Sequence, residues 1–173
     1  RSPNIRERRD SSAALFGHGG ELIAQAAHIP VHLGAMPDAV QAVRDRGARP
    51  GDVWVLNDPY TGGTHLNDVL MLHPVFHDGR LAMFAAMRCH WNDVGGMTPG
   101  SLSGRVNEII QEGIRIPPTR ICERGRMNQL ERGYDMASPD TLHGLAYVAF
   151  QELATRISHR NTGRYSDDPG AAR

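Results

Sequence analysis

The sequence predicts an α+β domain in which a mixed sheet is built around a central β-hairpin and flanked by helices. The hairpin is indicated by two apolar runs on either side of Asp78-Gly79, in the segment VLMLHPVFHDGRLAMFAAMRCH. Helices are indicated by helical spacing of apolar residues at other places in the chain. A chain of 173 residues, with 40% hydrophobic and 22% charged residues, is long enough for one domain with its own core.

One helix and one strand are predicted ahead of the hairpin. In PDAVQAVRDRG, Pro37 suits the first turn of a helix, Gly47 suits its end, and the apolar residues between them share a face. The β-branched and aromatic segment DVWVLN, residues 52–57, is typical of a strand. A helix that packs against a sheet is therefore expected before the hairpin begins.

The hairpin is predicted to turn at Asp78-Gly79, because this dipeptide adopts positive φ at low cost. Pro74 lies in the first of its strands and has no N–H to donate to a neighbouring strand. The first strand is therefore expected to be an edge strand at Pro74 or to carry a bulge there.

The elements after the hairpin are predicted from glycine, proline and apolar spacing. A glycine-rich loop, VGGMTPGSLSG, precedes a helix from Ser103 to Gly113, and IRIPPTRI is then extended because proline disfavours helix in the preceding residue. From Ser138, apolar residues at helical spacing predict a helix over 138–160, followed by a flexible tail over 161–173.

Composition excludes several classes of function. The formal net charge is zero and no segment is strongly basic, which argues against nucleic acid or an anionic membrane as a partner. All 19 basic residues are arginine, so this chain supplies no lysine for a Schiff base or a phosphate loop. No apolar run approaches the length of a membrane span. Cys89 and Cys122 form no CxxC pair, and two cysteines without a disulfide framework indicate a reducing cytoplasm.

The segment NDPYTGGTHLND, residues 57–68, contains the strongest chemical signal. Pairing residues across the predicted turn places His90 opposite Asn67, at the open end of the hairpin, where His65 and Asp68 also lie. In ideal register Asp68 and His90 would face opposite sides of the sheet, but one extra residue in a bulge at Pro74 would reverse that parity.

Two imidazoles and a carboxylate brought together in this way suit Zn, Mn or Fe. The adjacent Gly62-Gly63 pair would let the backbone turn tightly enough to aim His65 inward. Other interpretations exist, since HxxD alone is a weak pattern in a chain with nine histidines. NDP can be a simple Asx turn after a strand, and the glycine-rich loop can be only a connection. The remaining histidines are expected to be structural: His18, His28, His32, His73, His77, His143 and His159.

Six longer motifs occur in order in the chain: NIRERRDSSAALF, AQAAHIPVHLGAMP, GDVWVLNDPYTGGTHLNDV, HPVFHDGRL, RCHWNDVGGMTPGS and EIIQEGIRIPP. Together they resemble the hydantoinase B family, which comprises the B subunits of ATP-dependent hydantoinases and the matching half of 5-oxoprolinases, with related acetone and acetophenone carboxylase subunits. The resemblance runs from about Asn4 to Pro118. B subunits of this family are several times longer, so the resemblance implies a truncated member.

The resemblance implies a metal site at an HxxD pair and a later histidine, which fall on His65, Asp68 and His90, with Asp10 of ERRD as a fourth ligand. It also implies a division of the chain into a hydantoinase B-like metal-binding region over residues 1–137, the helix over 138–160 and the tail over 161–173. The identity of the divalent ion, whether Zn, Mn or Fe, is left open.

The resemblance further implies a cyclic amide hydrolase subunit of a heteromeric complex that is inactive without its partner. An A-type partner would phosphorylate the substrate with ATP, and this chain would complete hydrolysis at its metal, which lowers the pKa of a bound water to about 7 in favourable cases. Asp58 or Asp93 would orient the metal or accept a proton, and Arg88 would bind a substrate carboxylate or phosphate.

Two alternatives remain open at this point. The first is a carboxylase subunit of the acetone or acetophenone type, which acts on a ketone and differs only in what attacks the activated intermediate. The second is a non-catalytic assembly module that keeps the metal and the partner but does not turn substrate over.

Overall fold

The computed structural model describes residues 2–26 and 29–127, which form one seven-stranded sheet and one α-helix. The strands are β1 (Ser11–Gly17), β2 (Leu22–Ala26), β3 (Val53–Leu56), β4 (Asp68–His77), β5 (Arg80–His90), β6 (Thr119–Glu123) and β7 (Arg126–Met127). Their order is β2-β1-β5-β4-β3-β6-β7. The α+β class is confirmed. A mixed sheet is wrong for this part of the chain, because each of its strand pairings is antiparallel. The predicted helix over 138–160 and the tail over 161–173 lie outside the described residues.

Strands β4 and β5 form a hairpin in the middle of the sheet, with Asp78 and Gly79 at its turn. Both turn residues have positive φ, 49° and 74°, as the tight connection requires. The register shifts by one residue between Val75 and Phe76, and the additional residue is Ala82 on β5. The bulge predicted at Pro74 therefore exists but lies nearer the turn and on the other strand.

The bulge has the predicted effect on register, because Asp68 pairs with His90 rather than with Cys89. Pro74 itself is accommodated in β4 without a bulge at its own position, although it has no N–H to donate. The pairing of β4 with β3 ends at Leu72, so on that side no neighbouring strand requires an N–H from Pro74.

The helix α1 spans Pro30–Asp45 and starts seven residues before the predicted first turn at Pro37. Pro30 occupies the first turn, where a missing N–H costs nothing, and Pro37 lies inside the helix. The predicted end is confirmed, since Gly47 follows the last turn with φ of 75°. The helix continues through Pro37 because burial of one long face compensates for a lost hydrogen bond. Its buried residues are His32, Met36, Ala39, Val40 and Val43.

Helix α1 covers one face of the sheet and forms the main core with it. Rows of residues across β1, β5 and β4 on this face change from apolar to polar towards one end of the strands. The successive rows are Phe16–Phe84–Pro74, Ala14–Ala86–Leu72, Ser12–Arg88–Leu70 and Asp10–His90–Asp68. The last row is polar throughout, so the candidate site lies at the edge of the core and not on an open strand surface.

The predicted helix from Ser103 to Gly113 is wrong, because that segment contains only a short 3₁₀ turn at Ile109–Gln111. The side chain of Gln111 accepts hydrogen bonds from the backbone N–H groups of Asn107 and Glu108, and this holds the chain in a compact loop. IRIPPTRI is not helical, in agreement with the prediction, and its last three residues begin β6. In the residues that the structure describes, no helix is long and apolar enough to span a bilayer.

Candidate metal centre

The loop that carries HxxD is shaped by two polar side chains at its start. Asn57 is fully buried and donates hydrogen bonds to the carbonyl oxygens of Leu66 (2.7 Å) and Ile114 (2.9 Å). Asp58 accepts a hydrogen bond from the N–H of Tyr60 and begins the 3₁₀ turn Pro59–Thr61. Two loops that are distant in sequence are thereby fastened together beside the hairpin.

The glycine pair that follows is required by close backbone contacts. Gly62 has φ of 89°, and a Cβ placed there would collide with the backbone of Ala39 in α1. A Cβ at Gly63 would collide with the carbonyl oxygen of Asn57. Glycine therefore lets the chain turn back tightly under the helix, and the turn leads directly to His65.

The predicted residues His65, Asp68 and His90 come together at the polar end of the sheet, with ligand atoms that all lie within 4.8 Å of one another. Asp68 Oδ1 lies 3.0 Å from His90 Nδ1 and 3.3 Å from His65 Nε2. Asp10 completes the group, since its Oδ2 lies 3.8 Å from His90 Nδ1. The structure thus brings these residues near one another, and their role as metal ligands stays a prediction.

The electrostatics of the group favour the ionised form of the Asp68 carboxylate. Burial alone would raise the pKa of Asp68, but hydrogen bonds from His32, His65, His90 and Thr64 lower that pKa well below its usual range. The hydrogen bond to Asp68 raises the pKa of His65, with burial opposing it. The imidazoles of His65 and His90 and the carboxylate of Asp68, with Asp10 beside His90, form a donor set suited to Zn, Mn or Fe.

A further histidine, His32, joins the group from the first turn of α1. Its Nε2 lies 3.2 Å from Asp68 Oδ2 and 3.8 Å from Asp10 Oδ1, and its Nδ1 lies 3.1 Å from Ser12 Oγ. Asp10, His32 and Asp68 form a second set of close ligand atoms. The sequence predicted a structural role for His32 and did not indicate its place beside Asp68. Its place follows from the start of α1 at Pro30, which puts His32 on the face that packs against the sheet.

The side chain of Arg88 is held inside the fold, and the substrate contact predicted for it stays a prediction. It is fully buried, and its guanidinium donates to the carbonyl oxygens of His32 and Gly62. Burial lowers the pKa of Arg88 to about 10, against the attraction of the Asp68 carboxylate. A guanidinium so placed joins α1 and the glycine turn to β5 and lies behind the candidate ligands.

The two aspartates predicted to assist catalysis have defined structural contacts. Asp58 is buried and caps the turn after β3, as an Asx-type turn would. Asp93 is exposed, and hydrogen bonds from the N–H groups of Gly100 and Gly95 and from the hydroxyl of Ser101 lower its pKa. Both oxygens of Asp93 are thus used within the glycine-rich loop, and a direct part in proton transfer stays a prediction for both aspartates.

A cleft of about 480 Å³ opens beside the group. Thr64 and His65 line it from one side, and the loop around the 3₁₀ turn at Ile109–Gln111 lines it from the other. The side chain of His65 is 39% exposed while that of Asp68 is 3% exposed. The group therefore has one accessible side, and that side faces a space large enough for a small molecule. The other lining residues are Pro59, Tyr60, Val106, Asn107, Glu108, Ile109 and Glu112.

Comparison with known protein families shows where the chain belongs. The family model Hydantoinase B/oxoprolinase matches residues 1–138. The chain belongs to this family. The hydantoinase B resemblance read from the six motifs is thereby confirmed. A model for fatty acid desaturases also matches residues 107–172, less than half of the chain.

Two curated relatives show how the match is distributed. The chain is 45% identical over 127 residues to 5-oxoprolinase 1 of Arabidopsis thaliana, covering 72% of this chain and 10% of that protein. It is 38% identical over 124 residues to caprolactamase subunit beta of Pseudomonas jessenii, covering 69% of this chain and 21% of that subunit. The hydantoinase B chain described here thus spans between about a tenth and a fifth of the length of these relatives.

Two solved structures are similar in fold. The ATP-dependent caprolactamase from Pseudomonas jessenii matches with a TM-score of 0.65 and 31% identity, over 94% of this chain and 30% of that chain. A nucleotide-free acetone carboxylase matches with a TM-score of 0.67 and 22% identity, over 73% of this chain and 17% of that chain. At 22% identity the second likeness concerns the fold alone.

Proposed function

We propose that this chain is the metal-binding part of a B-type subunit of an ATP-dependent cyclic amide hydrolase, of the hydantoinase or oxoprolinase type. The observation that carries the proposal is the convergence of His65, Asp68 and His90, with Asp10 beside them, at the polar end of the helix-covered sheet face. The family membership and the names 5-oxoprolinase and caprolactamase among the relatives support a cyclic amide as the substrate class.

In this proposal His65, Asp68, His90 and Asp10 hold a divalent ion. The donor set fits such an ion, because the two carboxylates supply negative charge and the imidazoles supply nitrogen lone pairs in a largely buried position. When bound, a divalent ion supplies Lewis acidity and lowers the pKa of water in its contact. Selection among Zn, Mn and Fe depends on ligand geometry and metal supply, so we propose the class of ion only.

The surrounding residues of the chain bind and orient. His65 and Thr64 belong to both the metal group and the cleft, so a ring bound in the cleft lies next to the candidate ligands. Tyr60 and Ile109 offer apolar surface in the cleft, which suits the carbon skeleton of a small cyclic amide. We assign Asp58 to shaping the turn after β3 and Asp93 to shaping the glycine-rich loop. We assign Arg88 to the electrostatic stabilisation of the Asp68 carboxylate.

We further propose that the substrate is activated with ATP on an A-type partner subunit, in a hetero-oligomer. An unstrained cyclic amide opens slowly without activation, and the chain contains no lysine for a phosphate loop. The solved caprolactamase that resembles this chain is ATP-dependent, and a curated relative is named as its beta subunit. Both observations support a division of the reaction between two proteins.

The test is a reconstitution with separately purified proteins. The chain alone, an A-type subunit alone and their mixture are supplied with ATP, a divalent metal and a cyclic amide, and ring opening and ADP release are measured. Ring opening only in the mixture supports the proposal. Turnover by the isolated chain would contradict the division between subunits. Carboxylation of a ketone by the mixture would indicate the carboxylase alternative, and a complex without turnover would indicate an assembly module.

A further inference from the structure

We propose that His32 is a positioning residue that restricts Asp68 to binding a metal through one carboxylate oxygen, so that the centre takes one ion and not two. The inference rests on the proposed metal centre and deepens it. The question arises because Asp68 belongs to two overlapping groups, one with His65 and His90 and one with Asp10 and His32. By their proximity alone, these two groups would suggest a pair of ions bridged by Asp68.

The two oxygens of Asp68 have different surroundings. Oδ1 faces His90 Nδ1 at 3.0 Å and His65 Nε2 at 3.3 Å, which are the proposed ligands. Oδ2 accepts a hydrogen bond from Thr64 Oγ1 at 2.6 Å and lies 3.2 Å from His32 Nε2. An oxygen that already accepts two hydrogen bonds has little capacity left for a metal. Asp68 is thereby oriented as a ligand through Oδ1.

The hydrogen bonds of His32 are consistent when its Nε2 carries a proton. The Nε2–H then donates to Asp68 Oδ2, and Nδ1 accepts from the hydroxyl of Ser12 at 3.1 Å, a nearer acceptor for that hydroxyl than the carbonyl oxygen of Ile29 at 3.4 Å. The tautomer that could bind a second ion would direct the Nε2 lone pair at Asp68 Oδ2 and at Asp10 Oδ1, which is repulsive without that ion. Ser12 is 2% exposed, so Ser12 and His32 do not form an accessible hydrolytic pair.

Charge and burial also disfavour a second ion. His32 and Arg88 are buried at 1% and 0% exposure, and Arg88 donates to the carbonyl oxygen of His32 at 3.3 Å. The fixed charge of Arg88 and one divalent ion already outweigh the two carboxylates, Asp10 and Asp68. A second divalent ion would leave a large uncompensated positive charge in a buried position, which is strongly unfavourable.

The experiment counts ions and probes Asp68 in the purified 173-residue chain. Metal-free protein is titrated with Co²⁺, bound metal is quantified by elemental analysis, and the visible absorption spectrum is recorded for wild type, His32→Gln and His32→Leu. The Gln side chain can donate from nearly the same place as Nε2, and the Leu side chain cannot. His77→Leu is the matched control, because the side chain of His77 is 84% exposed at the far end of the hairpin.

We expect one ion per wild-type chain. His32→Leu should bind one ion with affinity lowered by about 10- to 100-fold, as is usual when a hydrogen bond to a metal ligand is removed. Its Co²⁺ spectrum should become weaker as Asp68 turns to bind through both oxygens. His32→Gln should recover both the affinity and the spectrum, which a role in packing alone would not predict. Circular dichroism checks that each variant is folded.

Several results would overturn the inference. They are two ions per wild-type chain, the loss of an ion in His32→Gln, or an unchanged affinity and spectrum in His32→Leu. If His32→Leu does not fold, Thr64→Val removes the other donor to Asp68 Oδ2, and an unchanged spectrum there is equally contradictory. A wild-type chain that binds no ion would refute the metal centre itself, whereas partner-dependent turnover tests the proposed function separately.

Discussion

Replacing His90 with alanine should remove the metal and destabilise the fold, and replacing His77 should do neither. Both histidines lie on the central hairpin, so the two variants differ in site and hardly in strand context. His90 Nδ1 lies 3.0 Å from Asp68 Oδ1, and its side chain is 15% exposed. His77 Nε2 lies 3.5 Å from Asp78 Oδ2, and both of these side chains are more than 80% exposed.

The size of the effect follows from these contacts. Loss of a hydrogen bond to a buried carboxylate costs about 2 kcal/mol of unfolding free energy. Loss of an ion present at 100 times its dissociation constant removes about 2.7 kcal/mol more. For a chain of this size, a total of about 4 to 5 kcal/mol lowers Tm by roughly 10–20 °C. In the presence of a chelator, only the lost hydrogen bond contributes to the difference in unfolding free energy. His77→Ala should stay within about 0.5 kcal/mol of wild type under both conditions, as exposed substitutions usually do.

The assay combines elemental analysis of dialysed protein with thermal unfolding in the presence of metal or of EDTA. We expect stoichiometric metal in wild type and His77→Ala and none in His90→Ala. The gap in Tm between wild type and His90→Ala should shrink in EDTA. Equal metal content in the two variants, or a gap unaffected by EDTA, would show that His90 is not a ligand.

Three further predictions concern the surroundings of the centre. Gly62→Ala should lower the unfolding free energy measured in urea by about 3 kcal/mol or more, because the new Cβ collides with the backbone of Ala39 and the residue keeps a positive φ. Gly79→Ala has a positive φ but open space around it, so it should cost about 1 kcal/mol. Equal costs would contradict the close contact at Gly62. Cys89 should resist thiol reagents until the chain unfolds, because burial raises the pKa of its thiol to about 12. The contribution of the neutral thiol to stability is complete below the unfolded pKa of about 8.5 and is lost as pH rises towards 12. An alkaline stability profile unchanged by Cys89→Ala would refute this. Arg88→Met should lower the unfolding free energy by about 2–5 kcal/mol, because it removes the buried guanidinium that donates to the carbonyl oxygens of His32 and Gly62. A variant as stable as wild type would show that these bonds contribute little.

The part of the site on the hairpin was predictable from sequence because its determinants are local. The dipeptide Asp78-Gly79 determines where the chain turns, and pairing then brings His90 to the strand end where Asp68 lies. The proline at position 74 indicated that the register is irregular, although the shift lies beside Val75 and adds Ala82 on the other strand. Side-chain parity depends on whether one residue is added, not on where, so the position of the bulge did not affect the grouping.

The contribution of α1 was not predictable because it depends on packing. Pro37 is a normal residue for a first helical turn, and only the sheet face beneath the helix makes an earlier start at Pro30 favourable. That start brings His32 to Asp68 and its carbonyl oxygen to Arg88. Likewise, the segment from Ser103 to Gly113 has helical spacing, but Ile110 is 80% exposed and Ile109 only partly buried, so the described residues provide little packing that would stabilise a helix there.

The most direct measurement of the central claim is an anomalous-scattering crystal structure of the chain grown with Zn²⁺ or Mn²⁺. The account predicts one peak at full occupancy, with His65, Asp68, His90 and Asp10 as its protein ligands. Their donor atoms should lie about 2.0 to 2.3 Å from the ion. A chain without a peak there, or with its ion at His73 or His77, would contradict the account.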